Sequence, residues 1–565
     1  MITVFTYSAP IFVAGSADGL SVGAQLASFQ NGCYGLLMDY RMVDVHTHDS
    51  TLDSLAIRPI DGLSGRADAD IDIPTLGGAD AYRTGLWQLS NGNFLGLGGG
   101  YDADTGPFAN LRILHQNGTA AGPAFSLPES MNSIDSLTCL ALPGGGFILS
   151  WDHYDPTQPS LNTDVDWQIF DNAGHTVGDL HTIGGSDWQG HGVGTILTNG
   201  NLVECWMEGP SRTAVRAQVF DLQGHSLSVV LDVSGADGGY LSWNSVIALT
   251  NGNFVVTWRE DAGGPDTAQT TTIYARIYNS SGVAIGKTIT IDQATATDNA
   301  FELVWEPTTI ALPDGRFAMS WSANQAIGDG SYRDYAQFQV FEANGTPASP
   351  LYSLGENDGT QSHPNIMALP DGRIAATWTQ PDGAGGYELV TQILDPRDHG
   401  IDLAGNALAD TYVGSVYQDR ILGMNGNDVI DGWSGKDLLN GGFGADRLFG
   451  GEGNDILQGA VGNDTLNGYN GSDRLNGGKG NDMLTSGSGL DVFIFAPGDG
   501  KDTISAFVDG QDRIDLTAYH FATFAGAKSH FAATADGVRF TMGADTVLIH
   551  GLTMAQLTVG DLILV

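Results

Sequence analysis

Residues 423–494 read GMNGNDVID, GWSGKDLLN, GGFGADRLF, GGEGNDILQ, GAVGNDTLN, GYNGSDRLN, GGKGNDMLT and SGSGLDVFI, eight nine-residue copies without an insertion. Glycine holds the fourth place throughout: Gly426, Gly435, Gly444, Gly453, Gly462, Gly471, Gly480 and Gly489. Aspartate holds the sixth: Asp428, Asp437, Asp446, Asp455, Asp464, Asp473, Asp482 and Asp491. An apolar residue, from Ile430 to Phe493, holds the eighth. Each copy divides into a six-residue turn and a three-residue strand. Side chains alternate faces along a strand, so the eighth place alone points inward. The pattern predicts a thin parallel solenoid with one apolar seam per side. Stacked aspartates would repel one another unless cations sit among them. Hard carboxylate and carbonyl oxygens are what Ca²⁺ takes.

The consensus GGxGxDxUx resembles that of RTX proteins, secreted bacterial proteins with a calcium β-roll. The resemblance implies that the eight aspartates and the fourth-place glycines hold calcium, about six ions on the family pattern. Two looser copies precede the eight, GNALADTYV (405–413) and GSVYQDRIL (414–422), and read as capping repeats. At the second place Met424, Trp433, Ala460 and Tyr469 replace glycine, which puts in question the outermost sites and those near Trp433 and Tyr469. DGKDTISAFVDGQDRIDLTAY (499–519) is similar to the segment that caps the roll in secreted RTX proteases. The final Asp561, Leu562, Ile563, Leu564 and Val565 resemble an uncleaved C-terminal signal. A type I secretion apparatus is the implied partner.

The composition agrees with a calcium-rich surrounding. A formal net charge of −42 argues against nucleic acid and anionic membranes as partners. Three cysteines (Cys33, Cys139, Cys205) make no disulfide framework. The N-terminal stretch has no basic n-region, and Pro10 and Gly15 break its apolar run, so no signal peptide is expected. No apolar stretch approaches a membrane span. The expected location is outside a bacterial cell or at its surface.

A longer period fills the first 400 residues. Its best copies are IALTNGNFVVTW (247–258), IALPDGRFAMSW (310–321) and MALPDGRIAATW (367–378). The marker glycines are Gly32, Gly92, Gly145, Gly200, Gly252, Gly315 and Gly372, spaced 52 to 63 residues apart. Apolar alternation around Asn-Gly or Asp-Gly signals hairpins. Units of about four strands, seven times over, predict a seven-bladed β-propeller. Trp151, Trp206, Trp258, Trp321 and Trp378 share one repeat place and read as packing between blades.

Nine residues before each marker stand Gly23, Arg83, Ser136, His191, Trp243, Glu306 and His363, with Tyr82, Asp135 and Trp305 one place earlier. In a closed ring these would face one channel mouth. His191, His363, Arg83, Glu306 and Tyr82 are the candidate catalytic residues. Histidine or tyrosine could take a proton beside a uronate carboxylate that Arg83 neutralises. Trp243, Trp305 and Asp135 are candidate ligand-binding residues.

Other motifs carry less. GLSVG (19–23) fits the nucleophile elbow G-x-S-x-G, but a strand pattern follows where a helix is needed. GHSLS (224–228) lacks the final glycine of such an elbow. Asp44, His46 and His48 alternate along one strand face and read as a solvated face before a transition-metal site. No H-E-x-x-H occurs.

The chain is thus expected to be all-β, in four parts. These are a propeller (1–398), a linker with degenerate repeats (399–422), a calcium β-roll (423–495) and a cap with secretion segment (496–565). Three functions stay open: an adhesin- or lectin-like binder of extracellular or cell-surface polysaccharide, a lyase acting on an acidic polysaccharide, and a surface-layer or matrix component.

Overall fold

The computed structural model describes residues 5–6, 11–15, 21–28, 34–43, 50–60, 71–73, 81–102, 106–115, 119–127, 137–154, 163–184, 188–209, 212–235, 239–262, 269–296, 307–326, 332–357, 364–369, 371–381, 387–407 and 409–564. The chain divides into two compact units: Met1–Phe29 with Tyr34–Pro396, and Arg397–Val565 with Gln30–Cys33. Among the described residues the fold is all-β, with a single short α-helix at Phe524–Lys528.

The first unit is a six-bladed propeller-like array of four-stranded antiparallel sheets, each built from strands consecutive in the chain. Their innermost strands are Ser21–Ser28, Ala81–Gln88, Thr138–Ala141, Gln189–Ile196, Tyr240–Ala248 and Thr308–Ala311. The copy around Gly372 is different. Its strands Asn365–Ala368, Ile374–Pro381 and Tyr387–Asp395 pair with Phe5–Thr6 and Ile11–Gly15 from the chain's start. The expectation of seven like blades is therefore corrected to six, with a composite sheet between the last and the first. The long period counts turns, and it does not show which part of the chain completes each sheet.

The turns explain the marker glycines. At Leu89–Asn93 the Leu89 N–H donates to Asn93 O and the Gly92 N–H to Leu89 O, and Gly92 has φ +82°. This is the three-residue hairpin loop with a left-handed glycine. The preceding Asn or Asp accepts from the residue after the glycine: Asn91 from Asn93 N–H, Asn251 from Asn253 N–H, Asp314 from Arg316 N–H. The motif thus selects its residues by backbone hydrogen bonding.

The core of this unit lies between successive sheets. Leu95 and Leu97 pack against Phe147, Leu149 and Trp151. Val203, Val215 and Ala217 pack against Phe254, Val256 and Trp258, and Ala336 and Phe338 against Ile374 and Trp378. Trp151, Trp206, Trp258, Trp321 and Trp378 are all buried, as their shared repeat place requires. Cys139 and Cys205 are free thiols.

The second unit is a parallel solenoid over the nonapeptides. Alternate copies feed two sheets, so each residue pairs with the one eighteen ahead, as Leu439 with Leu457 and Leu448 with Leu466. The eighth-place residues from Ile430 to Phe493 are wholly buried in one seam. The strands are longer than the expected three residues. Leu438–Phe443 and Ile456–Val461 run on through the first places of the next copy. By alternation, the first-place glycine then faces inward beside the eighth-place leucine. The cap adds strands to both sheets, and Leu562–Ile563 pairs with Ile514 and Asp515.

Replacing Trp258 by alanine should destabilise the first unit by roughly 3–5 kcal/mol. The urea midpoint of the full chain in chelator, followed by far-ultraviolet circular dichroism, measures it.

Candidate functional site

The roll presents its aspartates in two ladders. Along one, Asp410, Asp428, Asp446 and Asp464 donate their N–H to Oδ1 of Asp428, Asp446, Asp464 and Asp482, each at 2.8 Å. Along the other, Asp419, Asp437, Asp455 and Asp473 donate to Oδ1 of Asp437, Asp455, Asp473 and Asp491. In all eight regular copies Oδ2 is buried and lacks any protein donor. A buried carboxylate oxygen without a partner is costly unless a cation meets it.

Glycine at the first place keeps the surroundings of each Oδ2 clear, since a side chain there would press on it. The point where a Cβ would stand on Gly423 is 2.2 Å from Asp428 Oδ2 and 2.5 Å from Gly441 O. The same point on Gly432 is 2.6 Å from both Asp437 Oδ2 and Gly450 O. On Gly459 the distances are 2.4 Å to Asp464 Oδ2 and 2.7 Å to Gly477 O, and on Gly468 they are 2.3 Å to Asp473 Oδ2 and 2.7 Å to Ser486 O. Carboxylate and backbone carbonyl oxygens thus stand close together at each coil, and both are oxygen donors of the kind calcium takes. The oxygens brought together are one aspartate carboxylate and backbone carbonyls. Accordingly, no three acidic, histidine or cysteine side chains converge among the described residues.

This geometry divides the glycines by role. The first-place glycines, absent from the sequence-based candidates, leave room at the carboxylate. The fourth-place glycines have another role: on Gly444 (φ +142°) a Cβ would stand 1.4 Å from Gly426 O, so they admit close stacking of coils. The second-place departures are accommodated. Met424, Trp433, Ala460 and Tyr469 have φ between +66° and +76°, and each follows or precedes, eighteen residues away, a glycine such as Gly442 or Gly451. Asp437 and Asp473, beside Trp433 and Tyr469, keep bare Oδ2 atoms like the rest. The two looser copies differ in the feature that matters. Asp410 Oδ2 accepts from Asn406 N–H, and Asp419 accepts from Ile401 N–H and from Ser415.

Burial, and then the neighbouring carboxylates, push the metal-free aspartates upward: Asp437 to about 8, Asp428, Asp464, Asp473 and Asp482 to about 7. Burial raises Asp446 and Asp455 as well.

In the first unit three of the aligned positions, Arg83, His191 and Trp243, fall at irregularities of the innermost strands. Pairing slips between Ala81 and Arg83, between Gly190 and Val193, and between Leu241 and Trp243. Bulges re-aim side chains and recur beside binding sites. Tyr82 and Arg83 lie in the first of these strands, whereas Gly23 pairs regularly with Asp39. His191 has φ +54° and is pinned from two neighbouring sheets. Its N–H donates to Asp152 Oδ1 at 2.9 Å, and its carbonyl accepts from Asn244 Nδ2 at 3.2 Å. Trp243 is half-buried in the next sheet. Asp135, Ser136, Trp305, Glu306 and His363 lie outside the described residues, as do Asp44, His46 and His48.

Sequence alignment overlooked the side chains around His191. The Trp188 ring centroid is 6.1 Å from that of His191. The Arg212 guanidinium lies over Trp188 at 5.1 Å and over Tyr240 at 5.9 Å. An open depression of about 650 Å³ lies at the far end of the neighbouring innermost strand, by the Gly144–Gly146 turn, lined by Phe170, Asn172 and His181 among others. The Ser of GLSVG sits within strand Ser21–Ser28, which pairs with Tyr34–Val43, so the strand-turn-helix of an elbow is absent there. Ser226 of GHSLS bridges back to Phe220 in a hairpin.

The family model of the RTX calcium-binding nonapeptide repeat matches residues 405–439, 413–448, 434–466, 449–484, 458–493 and 467–504. Residues 405–504 are RTX calcium-binding repeats. No curated protein matches the chain. Solved structures align mainly with its larger part. A protein of unknown function from Dyadobacter fermentans is 12% identical over 70% of this chain and 99% of that one, with a TM-score of 0.42. The α-L-arabinanase of Penicillium chrysogenum is 12% identical over 56% and 94%, at 0.34. An ulvan lyase of a polysaccharide lyase family is 11% identical over 57% and 81%, at 0.37. At such scores these likenesses decide nothing about activity.

Two outcomes follow for the RTX repeats. The aspartate shifts are upward, so protons favour the metal-free fold. In chelator the roll should be most stable below about pH 4 and lose that stability as pH rises through 6 to 8, which circular dichroism across pH would record. Calcium should reverse the trend, because it takes the ionised form. Secondly, Gly459→Ala places a methyl group against Asp464 Oδ2 and should remove about one ion per chain in equilibrium dialysis.

Proposed function

We propose that this is an exported, calcium-dependent protein whose propeller-like unit binds an extracellular or cell-surface polysaccharide. One observation carries the calcium dependence: eight buried aspartates, each with an Oδ2 that no protein donor meets. On the family pattern about six ions would lie among the stacked coils. Extracellular calcium modules bind at roughly 10⁻⁴–10⁻³ M, far above cytosolic calcium. The roll would stay open inside the cell, pass a type I apparatus and fold outside as metal binding supplies free energy.

Polysaccharide binding is supported by the side chains that gather near His191, where Trp188, Arg212 and Tyr240 stand together. Such gatherings suit sugars, which offer apolar ring faces and hydroxyl rims. His191, half-buried and held by two neighbouring sheets, favours a second reading, β-elimination on a uronate polymer with histidine as base. Ultraviolet absorbance of unsaturated ends, after incubation with uronate polysaccharides, separates the two. The binding reading expects retention without absorbance growth. Growth that His191→Ala abolishes would establish the lyase, and retention on no glycan of an array would end the binding reading.

A further inference from the structure

Among the described residues of the first unit, two non-glycine residues have a left-handed backbone: His191 (φ +54°) and Arg212 (φ +52°). Both belong to one cluster. Such strain persists only where surroundings hold it, and it gathers at binding sites. Here the surroundings are visible. Gly209 N–H donates to Trp188 O, Arg212 N–H to Gly209 O, and Leu241 N–H to Arg212 O. The Arg212 turn is thereby tied to the starts of two adjacent innermost strands, Gln189–Ile196 and Tyr240–Ala248. A Cβ on Gly190 would stand 2.6 Å from the Trp188 ring, so glycine there makes room for the indole.

The charge pattern is as unusual as the backbone. Arg216, Arg259, Arg316 and Arg373 each pair with a carboxylate. Arg212 has no acidic partner among the described residues, although the chain carries 65 acidic residues against 23 Lys and Arg. Its guanidinium stands 5.1 Å from the Trp188 ring centroid and 5.9 Å from that of Tyr240, and among the described residues its side-chain N–H groups donate to no protein acceptor. Tyr240 is 48% exposed.

We propose that Trp188, Arg212 and Tyr240 form a binding site for an acidic sugar, a pyranose ring bearing an anionic group. The ring would stack on the aromatic side chains, and the anion would take the guanidinium edge. Arginine matches carboxylate and sulfate alike in a two-pronged geometry. The site rests on the reading of this unit as a polysaccharide binder and names its ligand class.

The test uses the full calcium-loaded chain on immobilised polygalacturonate, dextran sulfate and neutral dextran. The parent should bind one or both acidic polymers and bind dextran at least tenfold more weakly. Which acidic polymer is held tells carboxylate from sulfate. Arg212→Ala should weaken acidic binding at least tenfold. Arg212→Gly should weaken it equally yet melt no lower than the parent, because glycine takes a left-handed backbone without strain. A structural arginine would instead lower the melting temperature. Parent-like binding by both variants would overturn the site while leaving polysaccharide binding by the unit intact. Equal binding to dextran would overturn the acidic class alone. Parent binding to none of the three polymers would overturn both.

Discussion

Every regular coil of the roll buries a carboxylate with one oxygen engaged and the other bare. Oδ1 takes the N–H of the aspartate eighteen residues before it, and this fixes the register of the coils. Oδ2 faces the inward surface of a first-place glycine. Burial and the adjoining carboxylates both oppose ionisation there, so ionising the stack calls for a cation. The nonapeptide follows from that need. The sixth place supplies charge, the first place supplies room, and the fourth place lets successive backbones approach. The eighth supplies an apolar seam too thin to hold the coils unaided.

The first unit meets the folding problem without metal. Its sheets bury large aromatic and aliphatic side chains against one another, with Trp151, Trp258 and Trp321 among the fully buried. The hairpin turns are closed by Asn and Asp side chains that accept backbone N–H groups. The calcium-dependent folding proposed for the roll would set it apart from this unit, which is held by packing. That difference allows a single chain to hold one part folded under conditions that open the other.

Much of this was legible in the residues. The nine-residue period told the parallel roll, the burial of Leu439 to Leu484 and the calcium chemistry. The long period told the turns and the packing role of the shared tryptophans. The composite sheet was not legible, because pairing of Phe5–Thr6 and Ile11–Gly15 with Tyr387–Asp395 joins segments that share no motif. The first-place glycines were missed because glycine there looks like turn chemistry, whereas its inward face is set by strand alternation. Arg212 was missed for a related reason: it stands in a turn outside both repeats, and its place between Trp188 and Tyr240 depends on two adjacent sheets.

Hydrogen exchange of the full chain at pH 7.5, with millimolar calcium and with chelator, bears most directly on the bare carboxylates. Amides of residues 423–494 should be protected with calcium and exchange freely without it. Those of the buried strands Leu202–Glu208 and Phe254–Ala262 should be protected in both. Equal protection of residues 423–494 in chelator would contradict the dependence of the roll on a cation.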